Sequence, residues 1–365
     1  MRVAYIAETS LDNRSAYTHH VIKMCDAFSK NCKTTLIIPF TDKKISFKKI
    51  KKNFLLTSKN KFLIKKILSF KVSNFLTRIL FGFKVAKHLS KNSPELIITR
   101  SFISSIFFTF FKVNHFLEIH SEFRGLTRFL MINLNFLNSK YILKIILISK
   151  ALNKKIFKLN KKNFLILHDA VDIKNFNNKK FRNKIKKATY VGSFYKGKGI
   201  EFILQLANRF KDIEFNLYGD SKKNYYNISK NVKMHGYVNY EIVPYILAKS
   251  DILLLPSANI QYGRTKNINI ANYNSPLKMF DYLASGKIIV SSKRDGICEI
   301  LKHNYNALVV KEYQTEAWIK YLKNILDNKY NLKKIRINSI KTAKKHTWEN
   351  RVEKILLEHK SLIQQ

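Results

Sequence analysis

The stretch SPLKMFDYLASG, residues 275–286, decides how this chain is read. Ser275 has the side chain of a helix N-cap, and Pro276 suits the first helical position, where no N–H is needed. Leu277, Met279, Phe280, Leu283 and Ala284 recur at helical spacing and can form one buried face. The N–H groups of Leu277 and Lys278 have no acceptor inside such a helix, and the helix dipole adds positive potential beside them. That combination describes an anion site, with phosphate as the usual occupant. Asp281 lies too far along to cap the helix, but its carboxylate can accept hydrogen bonds from hydroxyls such as those of a ribose. An ordinary capped helix with a solvated carboxylate fits the same twelve letters, so the surroundings must decide.

A chain of 365 residues is long enough for two domains, and 46% hydrophobic content is enough for a sizeable core. Three cysteines without a pairing pattern point to a reducing compartment and no disulfide framework. The opening MRVAYIAETSLDN lacks the long apolar run of a signal peptide. FISSIFFTFF (102–111) is too short to span a bilayer, and 129–148 is interrupted by asparagines and by Lys140 and Lys144, so no spanning helix is expected.

The formal net charge is +44, and no Asp or Glu occurs between Lys43 and Pro94. NKFLIKKILSFKVSNFLTRILFGFKVAKHL (60–89) interleaves lysines with apolar residues. Taken as helices, this stretch gives apolar faces with basic rims, which engage anionic headgroups at about 1 kcal/mol per Lys or Arg. The expected partner of residues 43–91 is therefore an anionic membrane surface, with the protein peripheral on the cytoplasmic face. A specific nucleic-acid partner is not expected, because neither a DNA- or RNA-binding motif nor a zinc ligand set is present.

RVAYIAE (2–8), a helical pattern from Thr18 to Lys30 and TTLIIPF (34–40) form a strand–helix–strand unit, hence a parallel sheet. ELIITR (95–100), HFLEIH (115–120), KIILIS (144–149) and NFLILHDAVD (163–172) continue the strands. Residues 173–187 are polar, basic and rich in Asn, and suggest a linker. A second series follows. Strands are expected at 188–194, 214–220, 231–238, 251–257 and 287–292, with helices at 199–210, 240–250 and 275–285. TWENRVEKILLEHKSLI (347–363) closes the chain as an amphipathic helix. The expected architecture is two doubly wound α/β domains, 1–172 and 188–346, with ligands at the carboxyl ends of the strands.

VGSFYKGKGIEFILQLA, NVKMHGYV, VPYILAKSDILLLPS, SPLKMFDYLASG and the final HTWENRVEKIL together resemble the C-terminal half of the retaining family-4 glycosyltransferases, the glycosyl transferases group 1. HHVIKMCDAF (19–28), LEIHSE (117–122), ILISKAL (146–152) and HDAVD (168–172) occur in the order expected of the N-terminal half. The resemblance implies a GT-B fold: two Rossmann-like domains facing a cleft, with the last helix, 347–365, crossing back to the first. It implies transfer of a sugar from a nucleotide-diphosphate donor with retention of configuration, with no cofactor and no required metal.

Residue by residue, the resemblance makes Asp281 the ribose-binding carboxylate. It directs the start of that helix, Ser275, Pro276, Leu277 and Lys278, at the donor diphosphate. Lys198, in the KGKG stretch, matches the family's phosphate-binding lysine. A cation beside a helix start is poorly placed on dipole grounds unless an anion lies between them. His120 closes the strand HFLEI and matches a histidine that contacts the donor sugar or acceptor; orientation and hydrogen bonding are its expected role. Glu118 points to the same strand face and either orients His120 or merely sits near the sheet end. In the first loop, TSLDNRSAY (9–17), Ser15 and Ala16 are the small residues available for close backbone approach.

The chain departs from the pattern at three places. The first loop lacks the family's paired glycines. After Gly192 the family often carries arginine where this chain has Ser193, and Arg264 or Lys278 could supply the missing cation. The first carboxylate of the family's paired acidic motif falls on Tyr273. These departures resemble a subgroup of surface-polysaccharide assembly enzymes with lipid-linked or polysaccharide acceptors. The alternatives are an inactive membrane-associated scaffold of the same fold and a nucleotide-sugar epimerase.

Overall fold

The computed structural model describes residues 1–365 except 12–14, 41–45, 69–73, 158–162, 177–183, 221–224, 226–227, 263–267, 312 and 365. The chain forms two compact units. The first comprises Met1–Ile148, Leu152–His168 and Trp348–Gln365; the second comprises Ser149–Ala151 and Asp169–Thr347.

The first unit is built on seven strands: β1 (Arg2–Ile6), β2 (Lys33–Ile38), β3 (Leu63–Lys66), β4 (Leu96–Thr99), β5 (His115–Ile119), β6 (Ile142–Leu147) and β7 (Phe164–Ile166). Every pairing is parallel, in the order β3-β2-β1-β4-β5-β6-β7. The central strands are buried along their length, which is why they appear as mainly apolar runs rather than alternating ones, with His115 and Glu118 of β5 as buried polar exceptions. The order reverses between β1 and β4, so the loops after these strands splay apart at a topological switch point. The helix Trp348–Ile363 packs in this unit, with the Trp348 ring edge-on to His20 of the helix Ala16–Ser29 at 5.1 Å.

The second unit repeats the scheme with six strands: β8 (Lys187–Val191), β9 (Glu214–Tyr218), β10 (Val232–Met234), β11 (Ile252–Leu255), β12 (Ile288–Ser292) and β13 (Leu308–Val310). They are parallel in the order β10-β9-β8-β11-β12-β13, with the switch between β8 and β11. One face is covered by a core containing Ile203, Leu206, Trp318 and Leu322. The other carries Met279, Phe280, Leu283 and Ile297. Met279, Phe280 and Leu283 are the apolar face of the helix that opened the sequence analysis.

The structure departs from the sequence pattern in identifiable ways. Leu63–Lys66 is an edge strand, not part of a helix running through 60–89. Its lysines and exposed Leu63 belong to a sheet margin, where charge discourages pairing with another chain. Ile173–Asn175, at the start of the suspected linker, forms a 3-10 turn, and Phe176 directly after it is buried in the core of the second unit. The second unit also contains the strand Leu308–Val310 and the helices Thr315–Leu326 and Leu332–Lys345, beyond the elements expected from the sequence. Among the described residues, no helix is long and apolar enough to cross a membrane.

Candidate functional site

In the second unit the site is assembled from three segments at the carboxyl end of the sheet. The first is the loop between β8 and the helix Ile200–Arg209. It is glycine-rich for a steric reason. Gly197 and Gly199 hold φ values of +85° and +78°, and a Cβ on either would strike Ile260 or Pro256 of the neighbouring loop. Lys198 stands between them, its N–H donating to the Tyr195 carbonyl at 3.0 Å. Its side chain is half-buried, and burial lowers its ammonium to about 8.

The second segment is the helix Leu277–Ser285. Its N-cap is Pro276, with an extended ψ of 129°, and not Ser275, which is buried one residue outside. The expectation of a Ser275 cap with Pro276 at the first helical position is thus displaced by one residue. Proline has no side-chain acceptor, so no side chain caps this helix. Met279 N donates to the Pro276 carbonyl at 2.9 Å. The Leu277 and Lys278 amides are left for another acceptor. The helix closes on Gly286, which takes the left-handed conformation at φ +62°.

Lys278 brings its ammonium back over β8. Its Nζ lies 3.6 Å from the centroid of the Tyr190 ring and fills the space that a Cβ on Gly192 would need. The Tyr190 hydroxyl donates to the Ser193 carbonyl at 2.9 Å. A cation therefore reaches this loop from Lys278 although Ser193 supplies none. Burial, reinforced by the charge of Lys198, pushes the Lys278 ammonium well below its ordinary value. Among the described residues, neither lysine has a carboxylate partner. Arg264, the other candidate cation, lies outside the described residues.

The third segment is the turn Tyr240–Ile242, where the Tyr240 hydroxyl donates at 2.8 Å to Oδ1 of Asp281, buried at 8% exposure on the helix Leu277–Ser285. Burial, together with the negative charge of Asp281 and Asp172, raises the Tyr240 hydroxyl well above the phenol range, so it remains a donor. Tyr273 is buried at 2% exposure in a segment wedged against Gly296, whose N–H donates to the Asn272 carbonyl at 2.7 Å. Its phenol therefore belongs to the interior.

The first unit carries a separate polar cluster around Glu118. Its Oε1 accepts from Arg351 Nη2 at 2.6 Å and from His120 Nε2 at 2.8 Å, and lies 2.9 Å from His20 Nε2; its other oxygen accepts from the Tyr5 hydroxyl. Burial alone would raise this carboxyl. The charges of His20 and Arg351 and the hydrogen bonds of both histidines outweigh it, leaving Glu118 well below the carboxylate range. Arg351 also donates to the Leu167 and His168 carbonyls. Glu118 is completely enclosed, so it orients His120 rather than touching a ligand.

His120 follows β5 at its carboxyl end. Burial and the positive charge of Arg100 push its imidazole down to about 3, so it is neutral. An ionised Glu118 requires the proton on Nε2, which leaves Nδ1 as an acceptor with no partner among the described residues. Ser15 caps the helix Ala16–Ser29 by accepting from Thr18 N at 3.2 Å, and Ala16 is exposed in its first turn. Tyr190, Tyr240 and Arg351 do not stand out in the sequence. Each joins its cluster through a contact distant along the chain, such as the 233 residues separating Arg351 from Glu118.

Residues 171–346 match the Glycosyl transferases group 1 family. An uncharacterized glycosyltransferase of Methanocaldococcus jannaschii is 24% identical over 286 residues, which is 72% of this chain and 66% of the relative's length. The Anabaena protein HepE, solved in complex with UDP, superposes with a TM-score of 0.72 at 12% identity, over 99% of this chain and 100% of that one. It has also been solved with UDP-glucose. The lipopolysaccharide outer core galactosyltransferase WaaB gives a TM-score of 0.69 at 14% identity, over 99% of each chain. The fold is GT-B, in two Rossmann-like units. The family match falls within the second of these units.

Proposed function

We propose that the protein is a retaining, metal-independent glycosyltransferase that moves a sugar from a nucleoside diphosphate donor to a lipid-linked or cell-surface polysaccharide acceptor. One observation carries the donor half. Lys198 and Lys278 are two desolvated ammonium groups, the second depressed further by the first; they have no acidic partner among the described residues, and they stand with an uncapped helix start. A bound diphosphate relieves all three conditions at once. As the glycosidic bond breaks, the leaving diphosphate gains negative charge, and the two lysines with the Leu277 and Lys278 amides meet it there. They do the work that a divalent cation does in metal-dependent transfer. Asp281, shared with Tyr240, accepts the ribose hydroxyls.

His120 offers a hydroxyl an acceptor in Nδ1, but an imidazole near 3 is too weak a base to hold a proton. His120 thus orients a sugar or acceptor hydroxyl, and the proton passes to a donor phosphate oxygen. The UDP and UDP-glucose bound by HepE favour a uridine donor, and the activity named for WaaB favours a cell-envelope acceptor.

The test is thermal stabilisation by UDP, GDP, ADP, CMP and dTDP. A ligand at a hundredfold excess over its dissociation constant adds about 2.7 kcal/mol. Stabilisation by one diphosphate, lost in Lys198→Met, supports the assignment; stabilisation by none refutes it. The buried Tyr273, where a carboxylate was expected, favours a second reading as an inactive scaffold. That reading expects nucleotide binding without turnover of any UDP-sugar.

A further inference from the structure

We infer that the first unit docks on an anionic lipid bilayer through an apolar ridge that inserts between headgroups, and not through surface charge alone. The ridge has three neighbouring parts. The helix Asn74–Lys91 exposes Phe75, Leu76 and Phe83. Phe83 packs on Phe107 and Phe111, at the end of the helix Phe102–Phe110, with ring centroids 5.9 and 5.6 Å apart. Gly82 lets the two helices close, since a Cβ there would meet Phe107 and Ile103. On the other side of the helix Phe102–Phe110, the segment 123–136 runs alongside. Phe102 touches Phe123 at 4.7 Å and Phe110 touches Phe136 at 5.5 Å.

The side chains that crown this ridge face solvent: Phe110 is 65% exposed, Leu126 59%, Phe75 56% and Phe129 50%. Isolated exposed apolar residues are ordinary, but this many on neighbouring elements of one unit mark an interaction surface.

Charge identifies the occupant. Between residues 43 and 168 the chain has only three acidic residues, Glu95, Glu118 and Glu122. Glu95 is paired with Arg2, and Glu118 is enclosed. Exposed Lys84, Lys87, Lys112, Arg124 and Arg128 flank the apolar side chains. Phenylalanine and leucine tips between basic residues match the acyl boundary and the anionic headgroups of one leaflet. A second copy of this chain would set the same positive charge against itself. A polynucleotide can stack on phenylalanine but would leave the leucine tips, Leu76 and Leu126, in water.

The surface belongs wholly to the first unit and stands whether or not the donor assignment does. The probe is flotation with vesicles of phosphatidylglycerol and phosphatidylcholine, against phosphatidylcholine alone, at 0.1 and 0.5 M NaCl. The wild type should float with the anionic vesicles, with a remainder that survives high salt. Phe110→Asp combined with Phe129→Asp should lower that binding at least tenfold. Leu357→Asp, an exposed apolar position on the last helix, should leave it unchanged.

Phe129→Trp supplies a readout that needs no loss of function. The chain's two tryptophans, Trp318 and Trp348, are buried, so the indole introduced at position 129 would be its exposed one. Its emission should shift to the blue on anionic vesicles and be quenched by brominated acyl chains. Binding that vanishes entirely at 0.5 M NaCl overturns the insertion. So does emission from the Phe129→Trp variant that brominated chains leave unquenched, a double variant that floats like the wild type, a dimer that the double variant splits, or binding of a polyuridine RNA in place of vesicles.

Discussion

Binding of a nucleoside diphosphate should draw a proton from solution. In the ligand-free protein, burial holds Lys198 at about 8 against an ordinary 10.5. A diphosphate beside the ammonium favours its charged form and restores the higher value. Below pH 8 the proton is already in place, so affinity is level. Above pH 8 the free protein loses the proton that the complex keeps, and affinity falls about tenfold per pH unit until the bound lysine itself titrates. The full span is about 300-fold between pH 8 and 10.5. At pH 8 about half a proton is taken up at Lys198. Lys278, pushed down by burial and by Lys198, adds to that uptake.

The assay is titration calorimetry of UDP at pH 8 in two buffers of unequal ionisation enthalpy, with dissociation constants from pH 7 to 9.5. Lys198→Met should cut the uptake and flatten the profile. It should also raise the stability of the ligand-free protein. Holding a charged lysine at about 8 costs about 3 kcal/mol at neutral pH, and partial hydration of the half-buried side chain reduces this to about 1–2 kcal/mol. The substitution thus moves stability up and UDP affinity down. Zero uptake, or a lysine whose loss destabilises the free protein, would refute the reasoning.

Three further outcomes follow from the two clusters. Asp281→Asn should weaken binding of free UDP about tenfold, as a charged acceptor gives way to a neutral one; an unchanged dissociation constant removes Asp281 from the ribose. Arg351→Met should lower stability by about 3–5 kcal/mol, because it strips the enclosed Glu118 of its arginine partner; a melting temperature within a degree of wild type contradicts this. With His120 near 3, turnover from pH 5 to 8 should show no step that belongs to it; a step near 6.5 that disappears in His120→Gln makes it a titrating base after all.

The sheets could be read from the sequence because parallel strands buried on both faces are continuous apolar runs, as in DILLLPS and KIIVSS. The edges could not. LIKK pairs on one side only, is mostly exposed, and sits within a run whose spacing also suits a helix. The helix at 277 was legible from its apolar face, but its cap was misplaced by one residue. Ser275 has the chemistry of a cap, but Pro276 holds an extended ψ of 129° and so stands outside the helix itself. Single residues of the candidate site, Lys198, Lys278, Asp281 and His120, are named through the resemblance alone. Their partners are not named by it. Tyr240 lies 41 residues from Asp281 and looks like any aromatic on a surface turn, and Arg351 looks like one more polar position on the closing helix. Such partners are set by how the sheets fold up, and local spacing contains no trace of them.

The large positive charge, uninformative as a sum, separates into two kinds once burial is known. Most lysines of residues 43–91 are exposed and keep their hydration, so they act on a partner only over a Debye length of about 10 Å at 0.1 M salt. Lys198 and Lys278 are desolvated and near each other, which is why both ammonium groups are held below the ordinary lysine range before any ligand arrives. A lysine kept for solubility has no reason to accept that cost. A pair that accepts it without a carboxylate beside it is best explained by an anion that comes and goes. The glycines at 192, 197 and 199 belong to the same account. Gly192 clears the space for the Lys278 ammonium, and Gly197 and Gly199 give the backbone around Lys198 the φ values that other residues resist. Position 193 can therefore be serine without emptying the site of charge, since the cation enters from the helix instead of from the loop.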